Sequence, residues 1–269
     1  MAVMSNSLFI AAKQCLDECD PEHKVEQAHR LYKAWHAGEL TLDEADSAEP
    51  IGEPGRPAQP ILVQPRDLPQ RKPNTLEGRA ILFHALTHIE FNAINLALDA
   101  VYRFRGLPRE YYSDWLQVAD EEATHFVLLR DHLRTLGCEY GDYPAHNGLW
   151  EMAQKTSHDG MVRMALVPRC LEARGLDVNP GIKAKLLDNG DAAGGALLDI
   201  ILRDEIGHVA IGNHWFHYYC QQRGLDVEST YRQLLDEFLH MRLRPPFHIE
   251  ARRAAGFSEA ELAYLEGVG

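Results

Sequence analysis

Residues 85–98 read ALTHIEFNAINLAL, an apolar stretch with one acidic residue, Glu90, in its middle. We predict that this stretch belongs to one long helix over residues 75–104. Asn74 or Thr75 can cap the start of that helix, since both residue types accept hydrogen bonds from the first turn. Glu90 therefore lies at mid-length on an apolar helix.

Three more long helices follow, each closed by a glycine. We predict them over residues 110–136, 149–174 and 191–223, with a short helix within residues 176–190. No segment alternates with period two over a convincing length, so we predict no sheet. Helices of about 25 to 30 residues are roughly 40 Å long, the size found in a large four-helix bundle. The predicted fold class is all-α.

The chain before this helical region has a different texture. Residues 1–38 carry helical patterning, with Pro21 as the first residue of a second helix after Asp20 as its cap. Seven of the fourteen prolines lie between Pro50 and Pro73, which excludes regular helix there. We interpret this stretch as an extended arm across the body of the protein, or as a linker. The predicted domains are residues 1–73, packing on the bundle, and residues 74–269.

The long helices carry acidic and histidine side chains in a fixed order. Glu90 is followed by Glu-x-x-His, then by a lone glutamate, then by a second Glu-x-x-His. Residues three apart lie on neighbouring parts of one helix face, so Glu and His at this spacing can hold the same metal ion. Two such helices, with one glutamate from each of two others, give six ligands for two ions. The predicted ligands, which converge on one site, are Glu90, Glu122, His125, Glu172, Glu205 and His208.

Two other Glu-x-x-His matches compete with this set, and composition alone gives about one match by chance. Glu26/His29 has no lone-glutamate helix before it. Glu237/His240 is the stronger rival, because an aspartate precedes Glu237. Its helix is short, however, and a histidine near a helix end more often interacts with the helix C-terminus. The pair Glu237/His240 stays open as an alternative.

Glu172 departs from the expected mid-helix position. It lies near the C-terminal end of its predicted helix, and Glu151 is the alternative glutamate there. We prefer Glu172 because the run MVRMALVPRCLEA, which contains it, is apolar enough to be buried. A kink at Pro168 would open the site on that side.

Two histidines of the first long helix are excluded from the ligand set. His84 and His88 share one face, and Glu90 points about 160° away from His88 around the helix axis. We therefore expect His84 and His88 to be ordinary surface or core residues and not metal ligands. Thr87 shares the face of Glu90 and could border the metal pocket.

In these motifs the chain resembles the ferritin-like di-iron carboxylate superfamily, over roughly residues 75–223. The resemblance implies a ferritin-like four-helix bundle with additional N-terminal and C-terminal helices. It also implies that Asp204 orients His125 and that Glu121 orients His208, since an acid before Glu-x-x-His receives a hydrogen bond from the opposite metal-bound histidine in relatives. The whole chain is similar to ferritin-like proteins akin to the non-haem di-iron tRNA hydroxylases.

The expected cofactor is a pair of iron ions, with manganese as the alternative. The expected function is dioxygen activation by a monooxygenase or hydroxylase acting on an organic substrate, with Glu90, Glu122, Glu172 and Glu205 as catalytic carboxylates. An electron-donor protein would be a partner. The alternatives are a ferroxidase or peroxidase of the ferritin or rubrerythrin type, and a non-catalytic metal-binding helical protein. The absence of CxxC pairs weakens the rubrerythrin form.

Composition limits the partners and the compartment. The net charge of −13 argues against loose nucleic-acid binding, so a nucleic acid is expected only as a specific substrate such as tRNA. The sequence contains no stretch of about 18 uncharged apolar residues, so we predict no membrane span. The first twenty residues make a poor signal peptide, and the five cysteines form no regular framework. We predict a cytoplasmic protein with reduced thiols.

Overall fold

The computed structural model describes residues 6–42, 48–239 and 243–267. Within those ranges the chain forms α-helices and no strand, and its only β-type pairings are isolated bridges. The predicted all-α class is confirmed. The chain divides into two compact units, Met1–Gln154 and Lys155–Gly269. The predicted division at residue 73 stays a prediction.

The first unit is built on a pair of long helices. Its helices are α1 (Leu8–Asp17), α2 (Pro21–His36), α3 (Leu76–Arg103), α4 (Arg109–Thr135) and α5 (Gly148–Lys155), the last of which ends at the unit boundary. A tight connection joins α3 to α4, and Gly106 in it adopts a φ of 72°, which glycine tolerates without strain. The helices α1 and α2 pack against this pair.

Local signals explain the bounds of these helices. The Thr75 hydroxyl accepts a hydrogen bond from the Gly78 amide at 3.0 Å and begins α3. The Asp20 carboxylate accepts from the His23 amide at 2.9 Å, and Pro21 is the first residue of α2, as predicted. The helix α4 ends before Gly137, whose φ is 81°.

The helix α3 is the longest helix of the first unit, and most of its residues are buried. It is long and apolar enough to cross a membrane, but 83% of its apolar window is buried inside the structure. Burial of that extent is typical of the core helix of a soluble protein. Cytoplasmic localisation stays a prediction.

The proline-rich segment forms no α-helix, as predicted, and contains only a 3₁₀ turn at Pro65–Asp67 among its described residues. Hydrogen bonds to its backbone groups hold it on the first unit. The Gly55 amide donates to the Leu16 carbonyl at 2.8 Å, and the Trp150 indole donates to the Gly52 carbonyl at 2.8 Å. The segment therefore runs as an arm over this unit.

The second unit contains the other long helices. Its helices are α6 (Gly160–Leu166), α7 (Ala173–Asp188), α8 (Ala192–Arg223), α9 (Val227–Leu239), α10 (Ile249–Ala254) and α11 (Glu259–Leu265). A π-helical segment, Val167–Glu172, joins α6 to α7. Asp191 caps α8, and Gly224 ends it with a φ of 64°, as predicted. The predicted capping box of Ser258 and Glu261 is confirmed.

The prediction of one helix over residues 149–174 has the right start but is wrong in two places, an interruption after Lys155 and the C-terminal end. The chain leaves α5 after Lys155, and the Asp159 carboxylate starts a new helix by accepting from the Met161 amide at 2.7 Å. The helix then continues past Gly175 to Asp188. A glycine ends a helix where the chain turns into the left-handed region, and that glycine is Gly190, with a φ of 79°.

Candidate metal centre

Three of the predicted ligands meet inside the first unit. Glu90 lies near the middle of α3, and Glu122 and His125 lie near the middle of α4. His125 Nδ1 is 3.4 Å from Glu122 Oε2 and 3.7 Å from Glu90 Oε2. Each residue offers one ligand atom, and these atoms lie within 4.8 Å of one another. The tight hairpin between α3 and α4 brings the three residues together.

This cluster is sealed from solvent. The exposed fractions of Glu90, Glu122 and His125 are 4%, 1% and 0%. Burial raises the pKa of Glu90 well above 4.5, and the negative charge of Glu122 raises it further. Burial lowers the pKa of His125, but the contacts with Glu122 and Glu90 outweigh this effect and raise it to about 11. Without a cation, the cluster therefore holds protons that ordinary carboxyl and imidazole groups release at neutral pH.

The donor set fits a divalent metal ion. Two carboxylates and one imidazole are ligands that suit iron, manganese or zinc. Glu90 Oε2 is buried and accepts no hydrogen bond within the described part of the chain. A bound cation would supply the positive charge that two buried carboxylates need and would displace the extra protons.

The neighbouring histidines of α3 belong to the core, as predicted. His88 Nδ1 is 2.9 Å from the Tyr140 hydroxyl, and His84 Nε2 accepts from the Gly141 amide at 3.0 Å. Burial lowers the pKa of each histidine to about 4, so both are neutral at pH 7. The Thr87 hydroxyl is buried and donates to the Phe83 carbonyl at 2.8 Å.

The other three predicted ligands lie in the second unit. Glu205 and His208 are one turn apart on α8, and Glu205 Oε2 is 3.8 Å from His208 Nδ1. The His208 side chain is fully buried, whereas 13% of the Glu205 side chain is exposed. Glu172 is half-buried at the end of the π-helical segment, which packs against α8.

The predicted position of Glu172 near a helix end is wrong. Because the helix begins at Gly160 and runs through the π-helical segment to Asp188, Glu172 lies near its middle. The alternative, Glu151, is exposed on the separate short helix α5. Proline has no N–H to donate, so Pro168 disturbs the α-helical hydrogen bonds and favours the wider π-helical turn.

A close contact fixes the π-helical segment on α8. A Cβ atom added to Gly212 would lie 2.3 Å from the Cβ of Pro168, so this position requires glycine. Gly212 lies one turn after His208 on the same helix face. The segment that carries Glu172 is thus set against the helix that carries Glu205 and His208.

The competing Glu-x-x-His pairs have other surroundings. Glu26 is exposed, and His29 Nδ1 is 2.6 Å from Asp120 Oδ1. Glu237 is exposed, and His240 lies outside the described residues. Among the predicted orienting acids, Asp204 accepts from Arg203 Nε at 2.8 Å and Glu121 from Gln117 Nε2 at 3.0 Å. Their roles toward His125 and His208, and the convergence of all six ligands, stay predictions.

Lys24 is a buried cation that the sequence did not lead us to expect. Its ammonium is fully buried and donates to the Leu16 carbonyl at 2.9 Å, the Gly55 carbonyl at 2.8 Å and the Asn95 side chain. Three oxygen acceptors match its three N–H groups. Burial lowers its pKa to about 8. The available signal was a lysine on the apolar face of α2, beside Val25 and Ala28.

The fold and this cluster define the class: an all-α protein with a buried glutamate and histidine cluster that could hold a metal ion. The chain belongs to the family described as "Protein of unknown function (DUF455)", whose profile matches residues 17–263. It is 50% identical over 216 residues to a protein of Haemophilus influenzae named "Uncharacterized protein", covering 78% of this chain and 75% of that one. No solved structure matches the chain.

Proposed function

We propose that this protein is a non-haem di-iron oxidoreductase that activates dioxygen and acts as a monooxygenase or hydroxylase on an organic substrate. The observation that carries the proposal is the sealed cluster of Glu90, Glu122 and His125. The same Glu-x-x-His arrangement on α8, with Glu172 on a neighbouring helix, supports a second ligand set. Two independent sets of this composition favour two metal ions over one.

The proposed ligands divide between the two units. Glu90, Glu122 and His125 would be supplied by the first unit, and Glu172, Glu205 and His208 by the second. Oxygen-rich ligation favours iron, with manganese as the alternative. A ferrous pair held in this way supplies the electrons for the reduction of dioxygen. The organic substrate and an electron-donor protein are the proposed partners, and a nucleic acid enters only as a specific substrate such as tRNA.

The residues of the chain contribute charge balance and a dry environment. Four carboxylates nearly neutralise two divalent ions. Glu90 and His125 release protons when a cation replaces those protons, because a bound ligand must be deprotonated. The complete burial of Glu122 and His125 keeps water from competing for the ligand atoms. Loading the metal should therefore acidify an unbuffered solution.

The first experiment measures what the purified protein binds. Metal analysis after anaerobic loading with ferrous iron should give about two ions per chain. Glu122→Ala should abolish tight binding, because the loss of one of the four carboxylates leaves excess positive charge and an open coordination position. Glu26→Ala is the matched control, since Glu26 is exposed in a Glu-x-x-His run outside the cluster. Equal metal content in both variants would refute the proposed site.

The second experiment mixes the ferrous protein with oxygenated buffer in a stopped-flow instrument. We expect slow oxidation without a substrate, because an oxygenase gains by delaying oxygen activation until its pocket is filled. Rapid multi-turnover oxidation of added ferrous iron, with accumulation of mineral, would select a ferroxidase instead. An iron-loaded protein that consumes no dioxygen would remove the support for an oxidoreductase.

A further inference from the structure

The second unit contains a cavity that is lined by residues from its C-terminal helices. The cavity has a volume of about 220 Å³ and lies among residues of α9, α10 and α11 and the segments that follow them. Its aromatic wall is formed by Tyr231, Phe257 and Tyr264, and leucines complete the apolar part. A cavity of this size accommodates a small organic molecule rather than a single water.

Arg252, which lines the cavity, has one nitrogen without a hydrogen-bond partner in the described part of the chain. Arg252 is 1% exposed and makes a two-fold contact with Asp177, from Nε at 2.9 Å and from Nη2 at 2.7 Å. Its third nitrogen, Nη1, is buried and has no hydrogen-bond partner among the described residues. A buried N–H without an acceptor is costly, so an oxygen acceptor bound in the cavity would stabilise this arginine.

Aromatic rings hold the arginines of this region in place. The Arg252 guanidinium carbon is 5.1 Å from the centre of the Phe257 ring, and that of Arg169 is also 5.1 Å from the same ring. Arg169 contacts Glu261, and the Tyr231 hydroxyl donates to the Arg169 carbonyl at 3.1 Å. The ion pair with Asp177 and the packing on Phe257 hold the Arg252 side chain in one orientation, so Nη1 is a preorganised donor.

The charges of the wall select the type of acceptor. The lining includes three carboxylates, Glu228, Asp236 and Glu261, and two guanidinium groups. Arg252 is already balanced by Asp177 at 2.7 Å. An anion would therefore enter a wall with no surplus positive charge and would lose its hydration. An uncharged carbonyl oxygen meets the same donor at a lower desolvation cost.

We propose that this cavity binds a small uncharged aromatic molecule whose carbonyl oxygen accepts a hydrogen bond from Arg252 Nη1. The aromatic ring packs between Tyr231, Phe257 and Tyr264. The site does not depend on the proposed metal chemistry, because its residues are not among the predicted metal ligands.

The test uses three probes that share one ring: benzamide, benzoate and toluene. In an NMR titration of the full chain, benzamide should bind with a dissociation constant of about 1 mM, as expected for so small a ligand. Benzoate should bind at least about 10-fold more weakly because of its charge, and toluene at least about 10-fold more weakly because it lacks the acceptor. Tighter binding of benzoate would overturn the assignment of an uncharged ligand.

Variants locate the binding. Leu235→Trp fills the cavity and should weaken benzamide binding at least about 10-fold, whereas Leu225→Trp, at a residue 43% exposed and outside the lining, should leave it unchanged. Tyr264→Ala removes one wall at a residue 37% exposed, so it tests the site even if Leu235→Trp does not fold. Wild-type binding in Leu235→Trp and Tyr264→Ala, or saturable binding by none of the three probes, would refute the site. Metal content should be the same in all variants, which separates this test from that of the proposed function.

Discussion

The two units carry the same ligand pattern on helices of different kinds. In the first unit, α3 and α4 are uninterrupted α-helices, and the three predicted ligands are at most 4% exposed. In the second unit, the helix that carries Glu172 passes through a π-helical segment, and both Glu172 and Glu205 are half-buried. The first ligand set is regular and sealed, and the second is irregular and partly open.

This difference predicts different roles for the two proposed ligand sets. A buried set on regular helices would hold an ion firmly, because the surrounding packing restricts the ligand side chains and excludes water that would compete for the ion. A π-helical turn is a rare departure from α-helical geometry that occurs frequently at functional sites. Partly exposed carboxylates can exchange with water or a substrate. We therefore expect the second unit to supply the adjustable side of the proposed centre.

The largest expected effect comes from removing one carboxylate of each set. Glu122→Gln should weaken metal binding by more than about 100-fold. Removing a hydrogen-bond partner of a ligand typically weakens binding by about 10- to 100-fold, and removing a ligand itself should cost more. Glu205→Gln should weaken it by about 10- to 100-fold, because water can reach this half-buried position. Competition with a chelator under anaerobic conditions measures both. A larger loss in Glu205→Gln would reverse the comparison.

The next effect concerns the packing of the π-helical segment. Gly212→Ala should destabilise the protein by about 1–3 kcal/mol, because the new methyl group meets the rigid ring of Pro168. Gly207→Ala on the same helix is the matched control, since a Cβ atom there meets nothing within 4 Å. Helix propensity should make that control neutral or stabilising by up to about 1 kcal/mol. Urea unfolding of both variants decides the matter, and equal midpoints would show that the contact is unimportant.

A smaller effect is expected from the acid that precedes the second motif. If Asp204 orients a metal-bound histidine, Asp204→Asn should weaken metal binding by about 10-fold. Arg203→Gln is the control, because it removes the partner at 2.8 Å while leaving the carboxylate in place. Unchanged metal affinity in Asp204→Asn, or an equal loss in both variants, would count against an orienting role.

The smallest effect is a pH dependence in the first unit. The pKa of Glu90 is raised in the folded protein, so this group stabilises the fold most below its ordinary value of 4.5 and less as the pH rises through the folded value. Metal-free Glu90→Gln should therefore gain stability relative to the wild type as the pH rises from about 5 to 8. Urea unfolding in the presence of a chelator measures this gain in stability, with Glu26→Gln as the exposed control. A constant difference across the range would show that the cluster does not titrate with folding.

Several elements could be predicted from sequence because their causes are local. Caps at Thr75 and Asp191 and the left-handed Gly224 fix helix ends through neighbouring backbone groups. The first ligand set followed from spacing, since positions three apart on a helix must share a face. The tight turn at Gly106 then requires α3 and α4 to pack side by side as a hairpin. These features need no knowledge of the rest of the chain.

Other elements depended on residues that are distant in the sequence. The end of the third long helix was misplaced because Gly175 is a residue type that often ends a helix. Its backbone, however, stays helical, and the left-handed turn occurs at Gly190. The π-helical segment exists where Pro168 meets Gly212 of α8, a contact between positions 44 apart in sequence.

By itself, the sequence determined the helical class, most helix ends and the ligand pattern, because these arise from interactions within a few residues. Only the tertiary structure decided which charges are buried. Lysine and arginine are ordinarily surface residues, yet Lys24 and Arg252 each lie on a side of a helix that other segments cover. A charged side chain tolerates burial only where the fold supplies acceptors, and those acceptors, at Gly55 and at Asp177, are remote in the chain.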